Sequence, residues 1–274
     1  MKRALLYLQL LIVLVAIFLI HNHSISAYQP TSRGIGLIII GAALGVSATL
    51  LQGFFQDTYS DVGLLGISSG ATIGASIALL SGAKLGSYLG ISISILFAFI
   101  SFYKYRYLKA RFKFGGILLL LAYSLIIFLL NLKKSPNSLF WTLGSFSQLN
   151  KIHVRTFAPF VEVGIITSFF IARKLFPNKK STAFFVAVGT AFLIGPFTNI
   201  TGAVIGFGAF IPTLTKKLVN GDTRRILSYA ALVGPIILLL LDIAINHLNE
   251  ISISVLSIPL FLVLSRFSKQ QAQG

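Results

Sequence analysis

Residues Gly41 to Ala75, GAALGVSATLLQGFFQDTYSDVGLLGISSGATIGA, decide how the chain folds. Two apolar segments rich in small residues flank a short polar turn around Asp57 and Asp61. Glycines recur at every fourth position, Gly41 with Gly45 and Gly66 with Gly70 and Gly74. On a helix that spacing makes a flat groove. In lipid, helices gain little from hiding apolar surface, so close backbone approach through such small-residue faces is the main attraction between them. The stretch predicts two neighbouring membrane helices packed on their glycine faces. The spacing returns at Gly82, Gly86 and Gly90 and at Gly202 and Gly206. The likeness of Gly41-Ala-Ala-Leu-Gly45 to Gly202-Ala-Val-Ile-Gly206 points to a bundle of two pseudo-repeated halves.

Composition agrees with a membrane chain. Of 274 residues, 55% are hydrophobic and 11% charged, the latter less than half the roughly 25% usual in soluble domains. The net charge of +17 does not mark a nucleic-acid surface, because the basic residues fall in short clusters between long apolar runs. Absence of cysteine removes disulfides, thiolate metal sites and thiol nucleophiles together. Lys2 and Arg3 precede an apolar stretch from Ala4 to Ile20, with Ser26 and Ala27 beyond it. Its length favours a retained first helix over a cleaved signal.

A spanning helix needs about 20 mostly apolar residues. Candidate spans lie at 4–21, 35–55, 62–82, 86–103, 115–132, 156–174, 183–199, 202–218, 226–247 and 251–266. The expected fold is therefore all-α, a polytopic membrane bundle of about ten transmembrane helices forming one transmembrane domain over 1–274. With the N-terminus inside, 17 Lys and Arg fall on the inner side, clustered at Lys2, at 104–113, 173–180, 216–225 and 266–269. Six fall outside: Arg33, Lys84, Lys133, Lys134, Lys151 and Arg155. The positive-inside rule thus places both termini in the cytoplasm.

Read as a whole, the opening stretch resembles the signature of the FecCD-type permeases of ABC importers for iron siderophores, haem and cobalamin. Gln52, Leu64, Leu65, Gly66, Ser68, Gly70 and Ala71 stand at matching positions. A second block, Gly202 to Asp242, matches at Gly202, Gly208, Pro212, Gly221, Asp222, Arg225, Gly234 and Asp242. Trp141 with Gly144, and Pro259 with Phe261, add weaker matches. The chain departs from the pattern at Asp57-Thr58-Tyr59, where the family has Asn-Pro-Leu, and at Pro212-Thr213, where it has Pro-His. The segment Arg173 to Ser181, where the family carries an ATPase-docking helix pair, is short, as is the external segment before the second span.

The resemblance implies a permease subunit pairing with a second permease subunit, the same or related. It also implies separate ATP-binding subunits and an external substrate-binding lipoprotein, in a bacterial cytoplasmic membrane and surrounded by lipid. It implies docking of the binding protein at Arg33; the family's other docking arginines correspond to Pro30 and Asn246, with Lys133, Lys134 and Lys151 nearby. ATPase coupling would fall to Arg173, Lys174, Lys179, Lys180, Gly221, Asp222 and Arg225. Helix packing or the pathway would fall to Gln52, Gly66, Ser68, Gly70, Gly202, Gly208 and Pro212.

Other residues bear on chemistry. The phosphate-binding Walker A loop and the H-E-x-x-H zinc motif are absent, so an enzyme is not expected. Glu162 and Asp242 are carboxylates inside apolar spans, where charge is costly enough to make each a functional candidate. The position of Asp242 near a helix end favours local capping or pairing. Arg155, two turns from Glu162, is too far for a direct pair. His21, His23, His153 and His247 lack ligand spacing and read as interfacial residues; no metal or cofactor is expected. Two other readings remain: an ion-coupled secondary transporter using Glu162 or Asp242, and a degenerate scaffolding subunit of a transporter complex.

Because the chain has no cysteine, single cysteines report topology directly. Lys84→Cys is expected to react with a membrane-impermeant maleimide in intact cells, and Lys217→Cys only after permeabilisation; the reverse pattern contradicts the orientation.

Overall fold

A computed structural model of the chain describes residues 2–24, 30–56, 60, 62–63, 65–105, 121, 146, 149–174, 179–202, 207–219 and 223–247. Among the described residues the secondary structure is helical: α1 (Lys2–Ser24), α2 (Pro30–Phe55), α3 (Ile67–Leu80), α4 (Tyr88–Tyr105), α5 (Lys151–Lys174), α6 (Lys179–Thr201), α7 (Phe207–Leu218) and α8 (Thr223–His247). Five segments within them are long and apolar enough to cross a membrane: Leu5–Ser24, Thr31–Phe55, Lys151–Ala172, Thr182–Thr201 and Arg224–Ala244. Ile67–Leu80 and Tyr88–Tyr103 are shorter apolar helices. The expected spans at 115–132 and 251–266 lie outside the described residues, apart from Leu121.

The α2 helix is the axis of the bundle. It touches α1, α5, α6, α7 and α8, its most extensive partner being α8. Within its apolar window 78% of residues are buried, against 6% in α1. Leu37, Leu44, Leu50 and Leu51 of α2 meet Phe157, Phe197 and Leu238 in one continuous apolar core. On the other flank α3 lies against α4, and both rest on α6.

Glycine sets the closest crossing. A methyl group at Gly41 would lie 2.5 Å from the nitrogen of Pro235. One at Gly45 would strike the Ala230 carbonyl oxygen, and one at Gly234 the Gly41 carbonyl oxygen. The α2 and α8 backbones therefore touch, as the small-residue spacing predicts. Gly70 and Gly74 of α3 likewise face Phe97, Ser101 and Ile93 of α4, and Gly195 of α6 faces Ile95.

The remaining periodic glycines do something else. Gly66 (φ 74°) precedes α3, Gly82 (φ 91°) and Gly86 (φ 72°) shape the α3–α4 turn, and Gly202 (φ 75°) ends α6. Each takes the left-handed backbone open to glycine at no steric cost. The expected continuous faces Gly66–Gly74 and Gly82–Gly90 are thus broken. The third span shrinks from 62–82 to Ile67–Leu80; of the eighth, expected at 202–218, the described helix is Phe207–Leu218, residues 203–206 lying outside the described residues.

Several buried hydroxyls turn back on their own helices. Thr49, Thr72, Ser76, Thr190, Thr198 and Thr215 each donate to the carbonyl four residues earlier at 2.7–2.8 Å, which satisfies them where no water is available.

Gly41→Val is expected to cost about 1–3 kcal/mol or more by forcing two backbones apart. Gly82→Asn, in open space and with a side chain that tolerates the left-handed region, is expected to stay within about 0.5 kcal/mol. Thermal unfolding in detergent followed by size exclusion compares the two.

Candidate functional site

Polar side chains gather at the two ends of the bundle. At one end, where α1 finishes and α2 begins, Asp242 of α8 is fully buried. Arg33 Nη2 donates to its Oδ1 at 2.6 Å, and His21 Nε2 lies 2.8 Å from its Oδ2. With Arg33 on one carboxylate oxygen, the other is placed to accept from His21 in the tautomer that carries its proton on Nε2. Arg33 and Asp242 form a buried ion pair. His21 is fully buried and the Arg33 side chain 14% exposed. Asp242 thereby joins three helices, pairing as its place near a helix end suggested. Arg33 does not stand free at the mouth of α2.

Nearby, the buried Asn199 of α6 accepts from the Gly86 backbone N–H at 2.8 Å and reaches Ser94 Oγ at 3.4 Å. A methyl group at Gly86 would lie 2.5 Å from the His153 ring. Asn199 thus fixes the α3–α4 turn against α6, with α5 alongside.

At the opposite end, Lys216 Nζ of α7 donates to Gln52 Oε1 of α2 at 2.9 Å. Arg224 Nε donates to the Ala172 carbonyl at 2.6 Å, holding the start of α8 on the last turn of α5 and meeting the negative end of that helix. Arg225 beside it is exposed. Arg173 and Lys174 close α5 and Lys179 and Lys180 open α6; residues 175–178, Gly221 and Asp222 lie outside the described residues.

The other expected residues are spread through the bundle. Ser68 and Gly70 are buried in the first turn of α3, and Pro212 is buried within α7, which Gly208 helps to begin. Glu162 is exposed midway along α5, on the face that carries Lys151, Arg155 and Pro159. Among the described residues no group of three or more His, Asp or Glu stands close enough to hold a metal ion.

Sequence reasoning identified Asp242 and Arg33 separately and missed His21. The available signal was depth: His21, Arg33 and Asp242 each lie near the same end of their spans. Lys216, counted only as a topology signal, was also missed as the partner of Gln52.

A glycine-packed bundle of apolar helices, with polar locks at its ends, is a multi-pass membrane permease. The chain belongs to the FecCD transport family, whose model matches residues 20–176. It is 23% identical over 92% of its length to the iron-uptake system permease protein FeuB of Bacillus subtilis, covering 85% of that protein. It is 27% identical to the molybdate import system permease protein MolB of Haemophilus influenzae, covering 83% of this chain and 76% of the relative. It is 24% identical to the probable heme-iron transport system permease protein IsdF of Staphylococcus aureus, covering 75% and 69%. Its fold matches a solved inward-facing structure assigned to the metal-chelate type of ABC transporter, with TM-score 0.81, 24% identity, and coverage of 94% of this chain and 97% of that one. A second solved structure, PsaBC from Streptococcus pneumoniae in complex with Fab, matches at TM-score 0.56 and 15% identity, covering 92% and 95%. The chain is a transport subunit and not an enzyme.

Asp242→Ala removes one partner of a buried charge pair and is expected to destabilise the protein by about 3–5 kcal/mol. Lys216→Met removes a half-buried hydrogen bond from a charged donor to a buried amide and is expected to cost about 1–3 kcal/mol, less than Asp242→Ala. Thermal unfolding in one detergent ranks them; equal effects contradict this ordering.

Proposed function

We propose that the chain is one permease subunit of an ABC importer that moves an iron chelate across a bacterial cytoplasmic membrane. The observation that carries this reading is the FeuB match, which runs through 92% of the chain. The haem-iron relative IsdF supports iron as the cargo metal, while MolB makes an oxyanion the principal rival.

In this reading the Asp242 end faces outward and the Lys216 end faces the cytoplasm, as the distribution of basic residues favours. A second permease subunit, the same or related, completes the pathway. An external lipoprotein delivers the chelate and meets Arg33 through acidic side chains; charge pairing there sets encounter and register more than affinity. Nucleotide-binding subunits engage the cytoplasmic side at the α5–α6 connection, Arg173, Lys174, Lys179 and Lys180, and at the α7–α8 connection, Gly221, Asp222 and Arg225. Arg224, clamped to Ala172, ties those two connections together, so that a push on one reaches the other. Gln52, Gly66, Ser68, Gly70, Gly202, Gly208 and Pro212 shape the packing around the pathway. Glu162, exposed in mid-span, would be costly against lipid tails.

Purification of the tagged chain in mild detergent is expected to recover a nucleotide-binding subunit with ATPase activity, and a lipoprotein that binds a ferric chelate. A chain recovered alone, with transport driven by an ion gradient and abolished by Glu162→Gln, contradicts the ABC assignment. A lipoprotein that binds molybdate and no ferric chelate contradicts the cargo.

A further inference from the structure

The α1 helix is held unlike the others. Only 6% of its apolar window is buried. Its inward side is a narrow seam of Leu10, Leu14, Ile17 and Phe18. Near its start, the Tyr7 ring meets Tyr229 edge-on at 5.6 Å. The seam ends at His21, which is fully buried and bound to Asp242. The spacing of Tyr7, Leu10, Leu14, Ile17 and His21 keeps them on one stripe of a helix. The residue at the end of this stripe, His21, is the one that reaches the buried carboxylate.

Apolar packing between helices discriminates weakly against lipid, which offers the seam equivalent neighbours. The bond to Asp242 has no such substitute, because lipid tails supply no acceptor. The same carboxylate holds Arg33 at the start of α2, so one buried charge fixes the adjoining ends of α1, α2 and α8. The cluster is also under-satisfied: among the described residues, His21 Nδ1, Asn22 Oδ1 and Arg33 Nε are buried without a hydrogen-bond partner. A partly satisfied buried network gives up part of its advantage over an open arrangement. A polar contact within a partly satisfied network is suited to opening.

We propose that His21, Asp242 and Arg33 form a latch that docks the end of α1 against α2 and α8, and that α1 swings away from the bundle at this end when the His21–Asp242 bond is broken. Asp242 is the catch: it serves His21 through Oδ2 and Arg33 through Oδ1. Gly34 makes room for the closed form, since a methyl group there would lie 2.8 Å from Phe18 and 3.2 Å from His21 Nδ1. The latch is tested without any partner.

Absence of cysteine allows a spin-label pair at Ile20→Cys and Leu240→Cys, both exposed positions beside His21 and Asp242. The full chain in lipid nanodiscs is expected to give one narrow distance population. His21→Leu keeps apolar bulk without a donor and is expected to add a longer population, whereas His21→Gln keeps an N–H and is expected to restore the narrow one. Arg33→Met combined with Asp242→Leu replaces both charges and the acceptor with apolar bulk, so that thermal stability stays near that of the parent while the longer population persists. That separation distinguishes a latch from a contact that only stabilises. Parent-like distances in His21→Leu and in the double variant overturn the proposal. So does His21→Gln behaving like His21→Leu, which assigns the effect to ring packing.

Discussion

Contact between the α2 and α8 backbones is the constraint on which the rest of the molecule depends. Gly41 and Gly45 on one side and Ala230 and Gly234 on the other leave no side-chain layer between the helices. In a bilayer this closeness replaces the hydrophobic drive that would hold two helices together in water. It makes α2 the central post and carries Arg33 at one end of α2 to Asp242 at the far end of α8. At the other end Gln52 of α2 meets Lys216 of α7, which itself packs on α8.

Buried polarity is placed with corresponding economy. Hydroxyls in mid-bundle turn back on their own helices, as Thr49, Thr190 and Thr215 do, and so stabilise no partner. Long-range polar contacts lie near the ends: Asp242 with His21 and Arg33, Asn199 with Gly86, Lys216 with Gln52, and Arg224 with the Ala172 carbonyl. A transporter that alternates its openings needs its middle to slide and its ends to be held or released. An apolar, glycine-lined interior with polar end contacts meets that need, because apolar surfaces keep similar energy as they shift while a charge pair is either made or broken.

Much of this was legible in the sequence. The helical class, the membrane setting, the family and the glycine faces at Gly41–Gly45 and Gly70–Gly74 followed from composition, spacing and local motifs, all of which are short-range signals. The backbone roles of Gly66, Gly82, Gly86 and Gly202 did not, since a periodicity of four is the same whether a glycine lies inside a helix or in the turn that ends it. The Arg33–Asp242–His21 cluster was hidden for a different reason. Its members are 209 and 221 residues apart, and only the folded α2–α8 crossing brings them together. Glu162 was identified as an intramembrane carboxylate, and its exposure on α5 now sets it apart from the paired Asp242.

The most direct test of the account is uptake into liposomes that hold the chain together with its copurifying nucleotide-binding subunit, with a labelled ferric chelate supplied on its lipoprotein. The account predicts accumulation that requires ATP hydrolysis and is lost when the ATPase is inactivated. Accumulation that proceeds without nucleotide, driven by an ion gradient across the same membrane, would contradict it.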